Sequence, residues 1–132
     1  MRDETGSMLP AFGGLLFVSF VMLTLAVEIG LLGVAYRDTA SFADTAAEAG
    51  AAMIDPASLH EGSTVINARD AVAEANATLA RLGVAPSEVS IRLSDTSVCV
   101  AISRAHAVQA LGYLAISSIQ IEVTGCAEPA TG

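Results

Sequence analysis

One apolar run near the start of the chain limits what this sequence can fold into. From Leu9 to Ala35 the sequence carries a single charged residue, Glu28. As a helix with a rise of ~1.5 Å per residue, this run is about 40 Å long, whereas the hydrocarbon core of a bilayer is about 30 Å thick. The run therefore predicts one membrane-spanning helix over residues 9–36, preceded by a short polar leader over residues 1–8.

The apolar run is followed by an Ala-rich segment, which has no proline before Pro56. Phe42, Ala46, Ala49 and Met53 recur at helical spacing, which predicts an amphipathic extension of the same helix. The residue before a proline disfavours helix, so we expect the helix to end near Ile54, ahead of Asp55 and Pro56. A connector and a second helix should follow. Ser63 is the expected cap of that helix, Gly83 its expected end, and its apolar stripe is Val65, Ala68, Val72, Ala75, Leu79 and Leu82.

The apolar period then changes from helical spacing to two. Three segments alternate in this way, Val89 to Leu93, Val98 to Ile102 and Ile119 to Val123, and "SDTS" between the first two is a turn signal. Residues 105–116 are apolar without a clear period. The sequence thus predicts an α+β protein: a long N-terminal transmembrane helix with an Ala-rich amphipathic extension, a second helix, and a small three-stranded antiparallel sheet. The head should cover residues 37–126 and a flexible tail residues 127–132.

The chain has two cysteines, Cys99 and Cys126. Alternation places both on the sheet face opposite the predicted core, in strands expected to be neighbours. A disulfide is sterically allowed if their Cα atoms lie within ~7 Å, and two free thiols are the alternative. With His60 and His106 these are the only good soft-metal ligands, and none has the short spacing of zinc sites. We therefore expect neither a metal nor another cofactor.

Composition argues against several classes of function. The formal net charge is −8 and every cation is an arginine, six in all. Nucleic-acid binding needs clustered cations that release counterions, so no nucleic-acid partner is expected. The sequence has no phosphate-binding glycine loop and no nucleophile elbow. We expect no enzymatic activity and no small-molecule substrate.

The order of these elements resembles the TadE/TadG-like proteins of bacterial tight-adherence (Flp-type) pilus systems. The resemblance begins with Gly6 ahead of the apolar helix and includes "VEIG", residues 27–30, which is similar to the family's acidic-apolar-Gly element. It continues through "SFADTAAEAGAA" and the Val/Ile-alternating strands. It implies a pilin-like, single-pass protein of the bacterial cell membrane. The leader would be cytoplasmic and the head extracytoplasmic, and the partners would be lipid, other pilin-like subunits and pilus assembly platform proteins.

The chain departs from the family pattern at two positions. Processed members carry Glu five residues after the cleavage-site glycine, where this chain has Ala11, and an Arg often follows the acidic-apolar-Gly element, where it has Leu31. The first departure argues against cleavage between Gly6 and Ser7. Together they favour an uncut, membrane-retained component.

Glu28 and three glycines are the candidate contact residues of the apolar helix. A carboxylate at the centre of a membrane helix costs ~2.5 kcal/mol or more, so Glu28, beside Gly30, is predicted to contact a cation on a neighbouring subunit. The alternative is a protonated or snorkelling side chain. Gly13 and Gly14 would let another helix approach closely, although glycine is common in membrane helices in any case.

Two other interpretations stay open. Gly33, Val34 and Ala35 form a small-x-small triplet downstream of Arg2, as in a secretory signal whose removal would leave a soluble secreted domain. The apolar run, however, far exceeds the ~7–15 residues of an ordinary signal core. The third interpretation is a membrane-anchored interaction domain that has no connection with a pilus.

Overall fold

The computed structural model describes residues 8–108 and 117–130, which form an α+β fold in two layers. Its elements are α1 (Met8–Ala51), α2 (Pro56–His60), α3 (Ala68–Arg81), β1 (Val89–Leu93), β2 (Val98–Ala107) and β3 (Ser118–Ala127), with a 3-10 turn at Pro86–Glu88 before β1. The predicted class, a long N-terminal apolar helix, further helices and a three-stranded antiparallel sheet, is confirmed. The pilin-like family within that class stays a prediction.

The sheet has the strand order β1-β2-β3, and both strand pairs are antiparallel. Val98, Val100 and Ile102 of β2 are fully buried, because period-two alternation directs them to the face that the helices cover. β2 and β3 are each longer than the alternating segments that predicted them. β2 also includes residues 105–107, which belong to the segment without a clear apolar period. β3 ends at Ala127, which pairs with Val98, so the expected tail begins one residue later than the sequence suggests.

Small residues form the core between α1, α3 and the sheet. The fully or almost fully buried positions of the two helices are Ala43, Ala46, Ala47 and Ala51 of α1 and Ala71, Ala75 and Leu79 of α3. Alanine and glycine at these positions let the layers approach closely. A Cβ added to Gly50 would lie 3.2 Å from both the carbonyl oxygen of Ala71 and Cγ1 of Val98.

The segment between α1 and α3 differs from the prediction. α1 ends at Ala51 rather than near Ile54, and Ile54 instead forms an isolated β-bridge with Ile66. The short helix α2 starts at Pro56 inside the expected connector. Its N-cap Asp55 accepts a hydrogen bond from the amide of Ala57.

The predicted cap of the second helix, Ser63, is wrong. The amide of Ser63 donates to the carbonyl of Ser58 at 3.0 Å, which keeps Ser63 in the turn after α2. The N-cap is Asn67, whose side chain accepts from the amide of Asp70 at 3.3 Å. The later start changes the stripe: Ala75 and Leu79 are buried as predicted, Val72 is half-buried, Ala68 and Leu82 are exposed, and Ala71 and Thr78 are buried in addition.

Candidate functional site on the long helix

α1 consists of two parts with opposite surroundings. Every residue from Pro10 to Leu23 is exposed, including large apolar side chains such as Phe17 and Phe20. From Thr39 onward the same helix supplies the core of the head. Within the part of the chain that the structure describes, α1 alone is long and apolar enough to cross a membrane, although a signal sequence passes the same test of length and composition.

Glu28 lies where the two parts of α1 meet. It is only 7% exposed, while its neighbours Val27 and Ile29 are exposed, and it has an interaction partner in the structure. Three helical turns separate Glu28 from Thr39, so both lie on one face. Thr39 is buried there and donates to the carbonyl of Ala35 at 2.8 Å. The side of α1 that carries Glu28 is therefore the same side that packs against the head further along the helix.

The glycines singled out in the sequence have no close neighbours among the described residues. Within residues 8–108 and 117–130, a Cβ added to Gly13, Gly14 or Gly30 would meet no atom within 4 Å. Gly30 follows Glu28 closely in the chain but is exposed, so the structure does not bring the two into one site. The predicted packing and contact roles of these glycines concern other chains and stay predictions. Gly6 and Ser7 lie outside the described residues.

Cys99 and Cys126 are joined by a disulfide. The register of β2 and β3 places them directly opposite each other, with 4.1 Å between their Cα atoms. Cys99 is half-buried and Cys126 exposed, on the face of the sheet opposite the helices. The bridge thus fixes the register of two neighbouring strands without entering the core. Disulfides persist in oxidising compartments. The bridge therefore bears on which side of a membrane the head lies.

Two glycine contacts that the sequence analysis missed position the sheet against α1. A Cβ added to Gly125 would lie 2.7 Å from the backbone nitrogen of Asp44 and from the carbonyl carbon of Ala43. Real Cβ atoms almost never come this close, so β3 contacts the helix backbone directly. A glycine inside an alternating strand indicates close backbone approach, and this was the available signal. On the helix side, Gly50 of α1 lies similarly close to Ala71 of α3 and to Val98 of β2.

One partly buried ion pair connects the end of α3 to the sheet. Arg104 of β2 donates from Nε and Nη2 to Oε2 of Glu88, both at 3.2 Å, and from Nη2 to the carbonyl of Gly83 at 3.2 Å. Gly83 follows α3 with a φ of 76°, a conformation natural to glycine at a helix end. His60 and His106 do not join a metal site: among residues 8–108 and 117–130 no three His, Cys, Asp or Glu side chains cluster as metal ligands would.

The fold and the site define an α+β head packed on one end of a long apolar helix. No family model, curated protein or solved structure matches this chain.

Proposed function

We propose that this protein is a membrane-anchored, pilin-like component of a tight-adherence (Flp-type) pilus, acting through helix–helix packing. The observation that carries the proposal is the continuity of α1, one helix from Met8 to Ala51. Its first part is apolar and exposed all round, as a lipid-facing or helix-facing segment must be, and its last part is the core of the head. A subunit built in this way can be stored in a bilayer and later packed against other subunits through the same helix.

The disulfide supports an extracytoplasmic head. Cytosolic thiols are kept reduced, and the Cys99–Cys126 bridge lies in the head. With the head outside and one crossing, the N-terminus is cytoplasmic. The partners in this proposal are lipid, other pilin-like subunits and platform proteins of the pilus machinery.

A secreted soluble domain is the second candidate function. The triplet Gly33, Val34 and Ala35 would be its cleavage site, and the head core begins only after it, near Thr39. Against this candidate, α1 continues through the triplet without interruption, and the exposed apolar part is much longer than a signal core. Cleavage would also separate Glu28 from the head-packing face that it extends.

Cell fractionation with intact-mass measurement tests the anchor. We expect the full chain in the membrane fraction, resistant to alkaline extraction, with a mass that includes residues 1–36. Reporters fused after Tyr36 and at Gly132 should both be extracytoplasmic. A mature chain in the culture supernatant that starts at or beyond Tyr36 would refute the membrane-anchored function.

Loss of pili tests the pilus role separately. Cells that lack the chain should show fewer surface pili by electron microscopy, and the wild-type gene should restore them. Leu16→Arg places a charge in the apolar part and should not restore them, whereas Leu16→Ile is the matched control and should. Normal piliation without the chain would leave the membrane-anchored interaction domain as the better description.

A further inference from the structure

The direction of β3 relative to α1 can be read from two close contacts. Gly125 lies against Asp44, and Gly50 lies against Val98, which pairs with Ala127. Moving from Gly125 to Ala127 along β3 therefore corresponds to moving from Asp44 to Gly50 along α1. The strand and the helix run in the same direction. The first residues of β3 consequently point toward the apolar, N-terminal part of α1.

The length of β3 carries its first residues down to the level of Glu28. From Gly125 back to Ser118 the strand covers about 23 Å at ~3.3 Å per residue. Helix α1 covers the same distance in about 15 residues at ~1.5 Å each, which leads from Asp44 to the neighbourhood of Glu28. The burial pattern agrees, because the face of α1 is covered at Thr39, half-covered at Leu32 and covered again at Glu28.

The described residues at this end of the sheet carry no formal charge. Residues 105–108 and 117–121 contain no Asp, Glu, Lys or Arg, although the chain as a whole carries a net charge of −8. The described residues at this end include the exposed Ala107 and Ser118 and the half-buried Ile119. Glu28 at this level is already buried within the protein, so contact of these uncharged residues with lipid does not require an exposed ion to lose its hydration.

An open sheet edge cannot enter the hydrocarbon core of a bilayer. This limits how deeply the head can lie in the membrane. Among the described strands β3 lies at the edge of the sheet, and unpaired backbone groups facing lipid tails cost several kcal/mol each. The outer boundary of the hydrocarbon core must therefore lie at or before the level of Ser118 and Glu28. Residues 8–27 remain for the span, about 30 Å of helix, which matches the thickness of the hydrocarbon core.

From these relations we infer that the start of β3 rests on the bilayer surface and that the hydrocarbon boundary crosses α1 near Glu28, not near Tyr36. The ligand of this surface is the headgroup and glycerol region of a phospholipid bilayer. Residues 29–36 then cross the interfacial region, where Tyr36 is a common type of residue. Glu28 belongs to the packing between helix and head at the membrane surface and not to the middle of the bilayer. This inference rests on the proposed membrane anchoring.

Tryptophan scanning tests the inference, because the chain contains no tryptophan of its own. The full-length chain would be reconstituted in phosphatidylcholine vesicles whose acyl chains are brominated near the glycerol. Ser118→Trp and Thr124→Trp form a matched pair, both exposed on the same face of β3. Leu23→Trp reports on the span itself. Circular dichroism and an intact disulfide establish that each variant is folded.

We expect bromine to quench Leu23→Trp and Ser118→Trp, while Thr124→Trp keeps its emission and is quenched by acrylamide in the water. Quenching of Leu23→Trp without quenching of Ser118→Trp would overturn the inference and leave the membrane anchor intact. Quenching of Thr124→Trp would also overturn it, because the head would be submerged. Absence of quenching at Leu23→Trp both in these vesicles and in vesicles brominated near the ends of the acyl chains would refute the anchoring on which both proposals depend.

Discussion

Gly125 of β3 touches the backbone of Asp44 of α1, so that no side chain fits between strand and helix. A Cβ at Gly125 would lie 2.7 Å from the amide nitrogen of Asp44. Neither backbone can move away alone, because β3 is paired with β2 along its length and Ala43 is fully buried beside it. This contact fixes the position of the sheet along the axis of α1.

Gly125→Ala is expected to destabilise the head. Overpacking a tight contact costs about 1–3 kcal/mol, and here the obstacles are the side-chain carboxylate of Asp44 and the backbone of Ala43 and Asp44. Urea unfolding of the full chain in detergent micelles measures the change in free energy of unfolding. Thr124→Ala, at the exposed neighbouring position, is the control and should change stability by less than ~0.5 kcal/mol. Equal effects of the two substitutions would contradict the close contact.

Gly50→Ala should cost less than Gly125→Ala. The added Cβ would be 3.2 Å from its nearest atoms, one of which is the end of the Val98 side chain and can yield slightly. Alanine also has a helix propensity about 1 kcal/mol better than that of glycine, which offsets part of the crowding. The same unfolding measurement ranks the two variants, and a larger loss at Gly50 would refute this account of the interface.

Removal of the disulfide should weaken the head without changing its fold. Cys99 and Cys126 are 27 residues apart in the sequence, and the chain-entropy treatment of a closed loop of this size gives about 3–4 kcal/mol. The bridge lies on the outer face of the sheet, away from the buried side chains of β2. We expect Cys99→Ser combined with Cys126→Ser to keep the wild-type circular dichroism spectrum and to unfold at lower urea concentration. An unchanged midpoint would contradict this prediction.

Arg104→Ala should destabilise the head more than Arg81→Ala. Arg104 and Glu88 are about one third exposed, and Arg104 also binds the carbonyl of Gly83. Arg81 pairs with Glu74 at 2.7 Å, but its side chain is 68% exposed. Exposed pairs contribute about 0.2–1 kcal/mol, so we expect about 1 kcal/mol for Arg104 and a smaller value for Arg81. Thermal unfolding of both variants checks the order, and equal shifts would contradict it.

The sequence predicts the strands well and the helix faces poorly, for a physical reason. Alternating Val and Ile mark one face of a strand, so Val98, Val100 and Ile102 were identifiable as core. In α1 the Ala-rich extension offers small residues on every side. Phe42, part of the predicted stripe, is only half-buried, whereas Ala43 and Ala47 are fully buried. Composition alone could not orient this part of the helix.

The candidate site needed the three-dimensional arrangement of strand and helix. Glu28 was identifiable from the sequence as an unusual charge, but its burial, with 7% of the residue exposed, depends on contacts between parts of the chain that are distant in sequence. No local pattern could predict them. The N-cap at Asn67 was also hidden, because Ser63 is an equally good cap and is used in a turn instead.

Glu28→Leu is expected to loosen the packing of the head on α1. Glu28 is buried and has an interaction partner, and removing one member of such an interaction costs about 1–3 kcal/mol. The residue lies on the face that leads to Thr39, so the loss should appear as faster amide hydrogen exchange in β3 and in residues 28–39 of α1. Glu28→Gln retains hydrogen-bonding atoms and should lose less.

Ile29→Leu is the matched control for this substitution, because Ile29 is exposed on a different face of the same turn. It should leave exchange in β3 unchanged. If Glu28→Leu exchanged like this control, the carboxylate would have no part in holding the head. If Glu28→Leu instead exchanged normally but abolished association with other pilin-like subunits, the contact to a neighbouring subunit would be the better explanation of Glu28. The two readouts thus separate a role within the chain from a role between chains.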